Sequence, residues 1–190
     1  LAQLNPWVVG LHMVLSVGLI VICTRIVHEV YGLVATEVPQ LPWLLTQAVF
    51  WASIVMMYLG TVTSGSGPHS GDGAVTRNGF NLADVARVHS LSMWVTVALT
   101  VVLVVITREL PRLRRAALGV LGVAALQGAI GYTQYLLHLP EPLVLAHMIG
   151  TTLYTVAVAH LWFGVRRDNS VPTPQKISGS TAAARNTTAR

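Results

Sequence analysis

The sequence predicts an all-α integral membrane protein with five transmembrane helices, of which the last four form an antiparallel four-helix bundle. Only 10% of the residues are charged and the mean hydropathy is +0.62, whereas a soluble domain is about 25% charged. Five runs are long and apolar enough to cross a bilayer, since a spanning helix needs about 20 such residues. The basic residues lie mainly in blocks that follow apolar runs, which argues against a nucleic-acid-binding module.

The five predicted spans cover residues 6–24, 43–63, 85–107, 116–137 and 143–165. Pro6 suits the first turn of its helix, where a missing N–H group leaves no hydrogen bond unmade. Four glycines and a proline within residues 60–71 predict a non-helical loop after the second span. The tail is rich in Ser, Thr, Ala and Pro and is predicted to be disordered.

The distribution of Lys and Arg predicts the orientation in the membrane. If the first helix begins outside, ten of the twelve Lys and Arg residues lie inside, and only Arg77 and Arg87 lie outside. Cytoplasmic loops carry the excess of basic residues, so the opposite orientation is rejected. We therefore expect a multi-pass plasma-membrane protein in contact with lipid. Its loop 64–84 and turn 138–142 would be extracytoplasmic, and its tail 167–190 cytoplasmic.

A faint internal repeat suggests how the helices are grouped. His12-Met13 and His147-Met148 each follow an entry proline by about a turn and a half. Such echoes are typical of membrane proteins built from two similar units. The repeat predicts that residues 1–34 hold the last helix of an N-terminal four-helix half whose first three helices are absent. Residues 42–166 would form a complete C-terminal half.

Two of the seven histidines stand at matched depth. His89 lies five residues after Asp84 and His147 five after Pro142, so both are roughly 7–8 Å below the outer ends of two parallel helices. Haem iron accepts axial histidines from both faces, whereas a zinc site would need three or four ligands. The alternative is that each imidazole only bonds to a neighbouring helix. We interpret the following histidines as structural or solvated: His28, His69, His138 and His160.

Several motifs together resemble haem A synthase. Residues 60–72 form GTVTSGSGPHSGD, residues 86–89 ARVH and residues 131–135 GYTQY, followed by LPE at 139–141 and LAHM at 145–148. The chain is identified on these residues as the C-terminal portion of an actinobacterial-type member. The resemblance covers essentially all of residues 1–165.

The resemblance implies an enzyme that oxidises the methyl group of haem o to the formyl group of haem a, for terminal oxidases. It implies that His89 and His147 are the axial, metal-binding ligands of a haem b in the C-terminal half. His12 would be an iron ligand in the substrate haem o site. Arg77 and Arg87 are candidates for contacts with haem propionates. The implied partners are haem o, haem O synthase and an electron donor such as quinol.

The chain departs from the family in lacking the first three helices, and with them the acidic residue implicated in catalysis. No carboxylate within the predicted spans replaces that acid, so the catalytic residue is unknown and the chain alone is expected to be inactive. An alternative is a non-catalytic membrane b-type cytochrome that carries electrons, which would need only His89 and His147. A structural helical subunit without a cofactor is a further alternative.

Overall fold

The structure is a computed structural model that describes residues 5–67 and 77–168. Within these residues the chain forms five α-helices, each long and apolar enough to cross a membrane. Their bounds are α1 Pro6–Val30, α2 Gln40–Ser66, α3 Leu82–Ile106, α4 Pro111–Leu136 and α5 Glu141–Phe163. The predicted number of spans and the all-helical class of the spanning segments are confirmed. The predicted disordered tail lies outside the described residues from 169 onward.

Local sequence signals explain where the helices begin. The Asn5 side chain accepts a hydrogen bond from the Trp7 backbone N–H, and Asn81 accepts two from the first turn of α3. Prolines occupy the first turns of α1, α4 and α5, where their missing N–H groups would have had no helical partner. Helix α1 begins at the predicted Pro6, whereas α3, α4 and α5 begin three, five and two residues before their predicted spans.

The prediction that the non-helical loop begins directly after residue 63 is wrong, because α2 continues to Ser66. The side chain of Asn78 explains this extension. Its Nδ2 donates to the Val62 carbonyl at 2.8 Å, and its Oδ1 accepts from Ser66 Oγ at 2.8 Å. The carbonyls of a last helical turn need such partners, so a residue beyond the loop stabilises an end that the glycines alone would weaken.

A short parallel sheet joins the start of α2 to the end of α5. Strand β1, Thr36–Val38, pairs with β2, Val165–Arg167, and Glu37 forms an ion pair with Arg166 at 2.6 Å. The pairing was not predicted from the sequence. It also corrects the predicted start of the tail, because Arg167 belongs to β2.

The helices α2 to α5 pack in chain order, each against the next, and α5 also packs against α2. Helix α1 lies against α5 and α2. The interior enclosed by α2 to α5 combines aliphatic and hydroxyl-bearing side chains. Its fully buried aliphatic residues are Val49, Leu103, Val120, Val158 and Leu161, and its fully buried hydroxyl-bearing residues are Thr46, Ser53, Thr96, Thr100 and Thr155. By contrast, α1 buries only Pro6, Thr24 and His28.

Candidate functional site

His89 and His147 lie at nearly equal depth from one end of the helices. His89 is seven residues from the first residue of α3 and His147 is six from the first residue of α5. At 1.5 Å per residue these offsets are roughly 10 Å and 9 Å. Both helices begin at the end where Asn78 meets the last turn of α2. In the packing order, α3 and α5 are separated by α4 on one side and α2 on the other.

The His89 ring lies against α2. Its Nδ1 is 3.0 Å from the Met56 carbonyl oxygen. A carbonyl oxygen can only accept, so Nδ1 carries the proton and Nε2 holds the lone pair. Metal-binding histidines ordinarily donate their second ring nitrogen to a carbonyl or carboxylate in this way. His89 is therefore prepared to offer Nε2 as a ligand.

His147 lies against α4 in a similar arrangement. A methyl group at Gly131 would be 3.3 Å from His147 Cε1, just as one at Gly60 would be 3.1 Å from His89 Cε1. Each glycine makes room for the imidazole of the next helix. The residue four positions before each glycine presents its backbone to the ring, namely Met56 for His89 and Gln127 for His147.

Three buried polar atoms of α4 and α5 have no hydrogen-bond partner among the described residues. His147 Nδ1 is buried and makes no hydrogen bond in the described chain, although the Gln127 carbonyl lies nearby. The buried Gln127 Nε2 and Gln134 Oε1 also have no partner. Gln127, Gly131 and Gln134 are spaced by four and three residues and so share one face of α4. Buried polar atoms are nearly always bonded, so each of these atoms marks a position where a polar partner is expected.

The two imidazoles are also close enough that a positive charge on one would repel a charge on the other. Two imidazoles are a donor set that could hold a haem iron from both faces. Among residues 5–67 and 77–168, no group of three or more His, Cys, Asp or Glu side chains could hold a metal ion. A zinc site with three or four protein ligands is thus not found in that part of the chain.

The other predicted site residues lie apart from the two imidazoles. His12 is exposed on α1, and the described contacts of His89 and His147 do not involve it. Arg77 is exposed. Arg87 is exposed as well and reaches Asp84 at 3.4 Å. Among the described residues no hydrogen bond or ion pair links either arginine to an imidazole, so their propionate role stays a prediction.

The remaining histidines differ from one another. His28 and His160 form a hydrogen-bonded pair at 2.9 Å, which the sequence analysis did not foresee. His138 is exposed in the turn after α4, with a positive φ of 61°. His69 lies outside the described residues.

Gly60 and Gly131 were not predicted from the sequence as parts of the site. The available signal was their position, because each lies five or six residues before the end of its helix, at the depth of the histidines. The class of protein is therefore a multi-helix membrane protein with two histidines at one depth between its helices. Comparison with protein-family models, curated proteins and solved structures finds no match to this chain.

Proposed function

We propose that this chain is the haem b-binding C-terminal portion of haem A synthase, with the haem between His89 and His147. In this proposal α2 to α5 form an antiparallel four-helix bundle, and the two histidines project inward from its diagonal helices. Facing helices of such bundles commonly hold cofactors in this way. The observation that carries the proposal is the matched depth of the two imidazoles, each set against a glycine of the preceding helix.

Each residue of the site would have a definite role. His89 and His147 would hold the iron. The Met56 carbonyl accepts from His89 Nδ1 and so orients that ring, whereas the Gln127 carbonyl only lies near His147. Gly60 and Gly131 leave the space that lets both rings stand between the helices. When bound, haem b supplies one-electron transfer from a donor such as quinol. Arg77 and Arg87, near the same end, would pair with the propionates.

The oxidation of haem o to haem a is assigned to the whole enzyme. The helix interiors of the described chain contain no carboxylate. The carboxylates of the described residues lie at helix ends or in connections, and they are Glu29, Glu37, Asp84, Glu109, Glu141 and Asp168. The catalytic acid would therefore come from another part of the enzyme. His12, which is exposed on α1, would contribute to the substrate haem site there.

The proposed orientation places the haem near the extracytoplasmic surface of the plasma membrane. Ten of the twelve Lys and Arg residues then face the cytoplasm, as the charge asymmetry of membrane proteins requires. Cysteines introduced at His138 and Arg114 test this orientation with a membrane-impermeant thiol reagent in intact cells, after Cys23 has been replaced by serine. The cysteine at position 138 should react and the one at 114 should not. The reverse pattern would refute the orientation.

The haem assignment is tested by the reduced-minus-oxidised spectrum of the purified chain. We expect a b-type spectrum that is lost in both His89→Ala and His147→Ala. His138→Ala is the matched control, since it removes an exposed histidine of the turn before α5, and it should keep the haem. A chain without a b-type spectrum, or one whose spectrum survives both axial substitutions, would contradict the proposal.

The electron-carrier alternative makes a different prediction for the enzyme with both halves. If the protein is haem A synthase, cells that lack their own enzyme should form haem a when the full-length gene is supplied. A b-type cytochrome would show the same spectrum and form no haem a. Pigment extraction and chromatography distinguish these outcomes.

A further inference from the structure

The inner ends of α1 and α5 are joined by two histidines 132 residues apart in the sequence. His28 Nε2 and His160 Nδ1 are 2.9 Å apart. His28 is only 4% exposed, and its ring also packs edge-on against Phe163 at a centroid distance of 5.8 Å. The Arg25 guanidinium lies over the same Phe163 ring at 5.4 Å. Together these four side chains form what we term the inner joint.

The contacts of the inner joint are reciprocal. When α1 is aligned with α5 so that His12 matches His147, Arg25 falls on His160 and His28 falls on Phe163. His28 contacts His160, and Arg25 contacts Phe163. His28 thus contacts the counterpart of Arg25, and Arg25 contacts the counterpart of His28, as across a twofold axis. The inner joint is therefore a built interface between two similar helices.

Helix α1 depends on this joint more than a well-buried helix would. Of its 25 residues only Pro6, Thr24 and His28 are buried. Among the hydrogen bonds described for residues 5–67 and 77–168, His28 to His160 is the one side-chain bond between α1 and another helix. The other described side-chain bonds of α1 are internal to it or to its N-cap.

A hydrogen bond between two imidazoles depends on protonation. One ring nitrogen must donate a proton and the other must offer a lone pair, so the bond is lost when both rings are fully protonated. The charged groups facing the pair are Arg25 and Glu29 of α1, which also pair with each other. Two imidazolium ions beside Arg25 would repel one another in a site where His28 is shielded from water.

We propose that the His28–His160 pair is an acid-sensitive latch that holds the inner end of α1 against α5. At neutral pH the pair shares a proton and the latch is closed; at acidic pH double protonation opens it. Because α1 also carries His12, opening changes the position of that histidine relative to the unit α2 to α5. The inference does not depend on haem binding.

The test uses the full chain in lipid nanodiscs, with one spin label on the native Cys23 and a second on a cysteine replacing the exposed Val156 of α5. Distances are measured at about pH 7.5 and pH 5.5, a range across which histidine ordinarily titrates. We expect a second, longer distance population at the lower pH. Amide hydrogen exchange at residues 24–34 and 157–167 should rise at least about tenfold after correction for the intrinsic pH effect.

The double variant His28→Gln/His160→Gln is the decisive comparison, because two carboxamides can bond to each other and do not titrate. It should show one short distance at both pH values, while His12→Gln should open at acidic pH as the unsubstituted chain does. An unsubstituted chain with the same distances at both pH values would overturn the proposal. Equal opening of the double variant would overturn it as well, since another group would then be responsible. If the double variant does not fold, the unsubstituted chain alone decides.

Discussion

The tight clearance between Gly60 and His89 makes Gly60→Ala the sharpest test of the proposed haem site. An alanine Cβ at this position would lie 3.1 Å from His89 Cε1, whereas unstrained carbon contacts are about 3.5–4.0 Å. The ring would have to withdraw by roughly 0.4–0.9 Å. Its Nδ1 is 3.0 Å from the Met56 oxygen, and a hydrogen bond is effectively lost beyond about 3.5 Å. The substitution therefore strains the ring and loosens the bond that orients it.

Overpacking of this kind costs about 1–3 kcal/mol of stability. Where the strain falls on the haem-bound state, the same free energy is roughly a 5- to 150-fold loss of haem affinity. The equivalent change at Gly131 should cost less, because its clearance to His147 is 3.3 Å. Retained haem b should thus decrease from the unsubstituted chain to Gly131→Ala and then to Gly60→Ala. Haem content per protein, measured as the pyridine haemochrome after a fixed series of washes, checks this order.

Gly122→Ala is the matched control, since an added Cβ there meets nothing within 4 Å. It should keep its full complement of haem and unfold at the same temperature as the unsubstituted chain or higher. If Gly60→Ala folds and retains haem as well as Gly122→Ala does, the imidazole of His89 is not held where the proposed site needs it.

Three further predictions follow from other contacts. Gly150→Ala would drive a methyl group into the buried Gln127 carboxamide and should destabilise the chain by about 1–3 kcal/mol; a thermal midpoint equal to that of Gly122→Ala would contradict this. In the full-length enzyme, His12→Ala should leave the haem b spectrum nearly intact and abolish haem a formation. Loss of haem b would show that the assignment of His12 to the substrate haem site is wrong. His138→Gly should stabilise the turn by up to about 1 kcal/mol, because relief of the left-handed backbone outweighs the added entropy of the unfolded glycine; an unchanged or lower unfolding temperature would refute it.

The spans and the depth of the two histidines could be predicted because both depend on position along single helices. An apolar run of about 20 residues crosses a bilayer wherever it occurs, and counting from Asp84 or Pro142 gives a depth without knowledge of neighbours. The end of α2 could not be predicted in this way. Its helical residues up to Ser66 depend on Asn78, which lies beyond the loop in the sequence.

Contacts between helices could not be predicted from the sequence for a similar reason. Which residue of α2 faces His89 depends on the rotation and offset of two packed helices, so Gly60 was seen only as a loop glycine. His28 and His160 were each judged alone, and each alone is an ordinary histidine near a helix end. Their matching positions near the last residues of α1 and α5 were one available clue, and the internal repeat that aligns α1 with α5 was the second.

The pairing of β1 with β2 bears on how the protein is made. Glu37 and Arg166 are about 130 residues apart in the chain yet adjacent in the sheet. At about 5–20 residues per second the ribosome needs roughly 6–26 s to supply the second strand after the first. During that interval β1 waits unpaired at the membrane surface while α2 to α5 enter the bilayer in turn. The pairing of β1 with β2, which joins the start of α2 to the end of α5, is therefore a late event of biosynthesis. A nascent chain arrested before residue 165 lacks β2 and cannot form this pair.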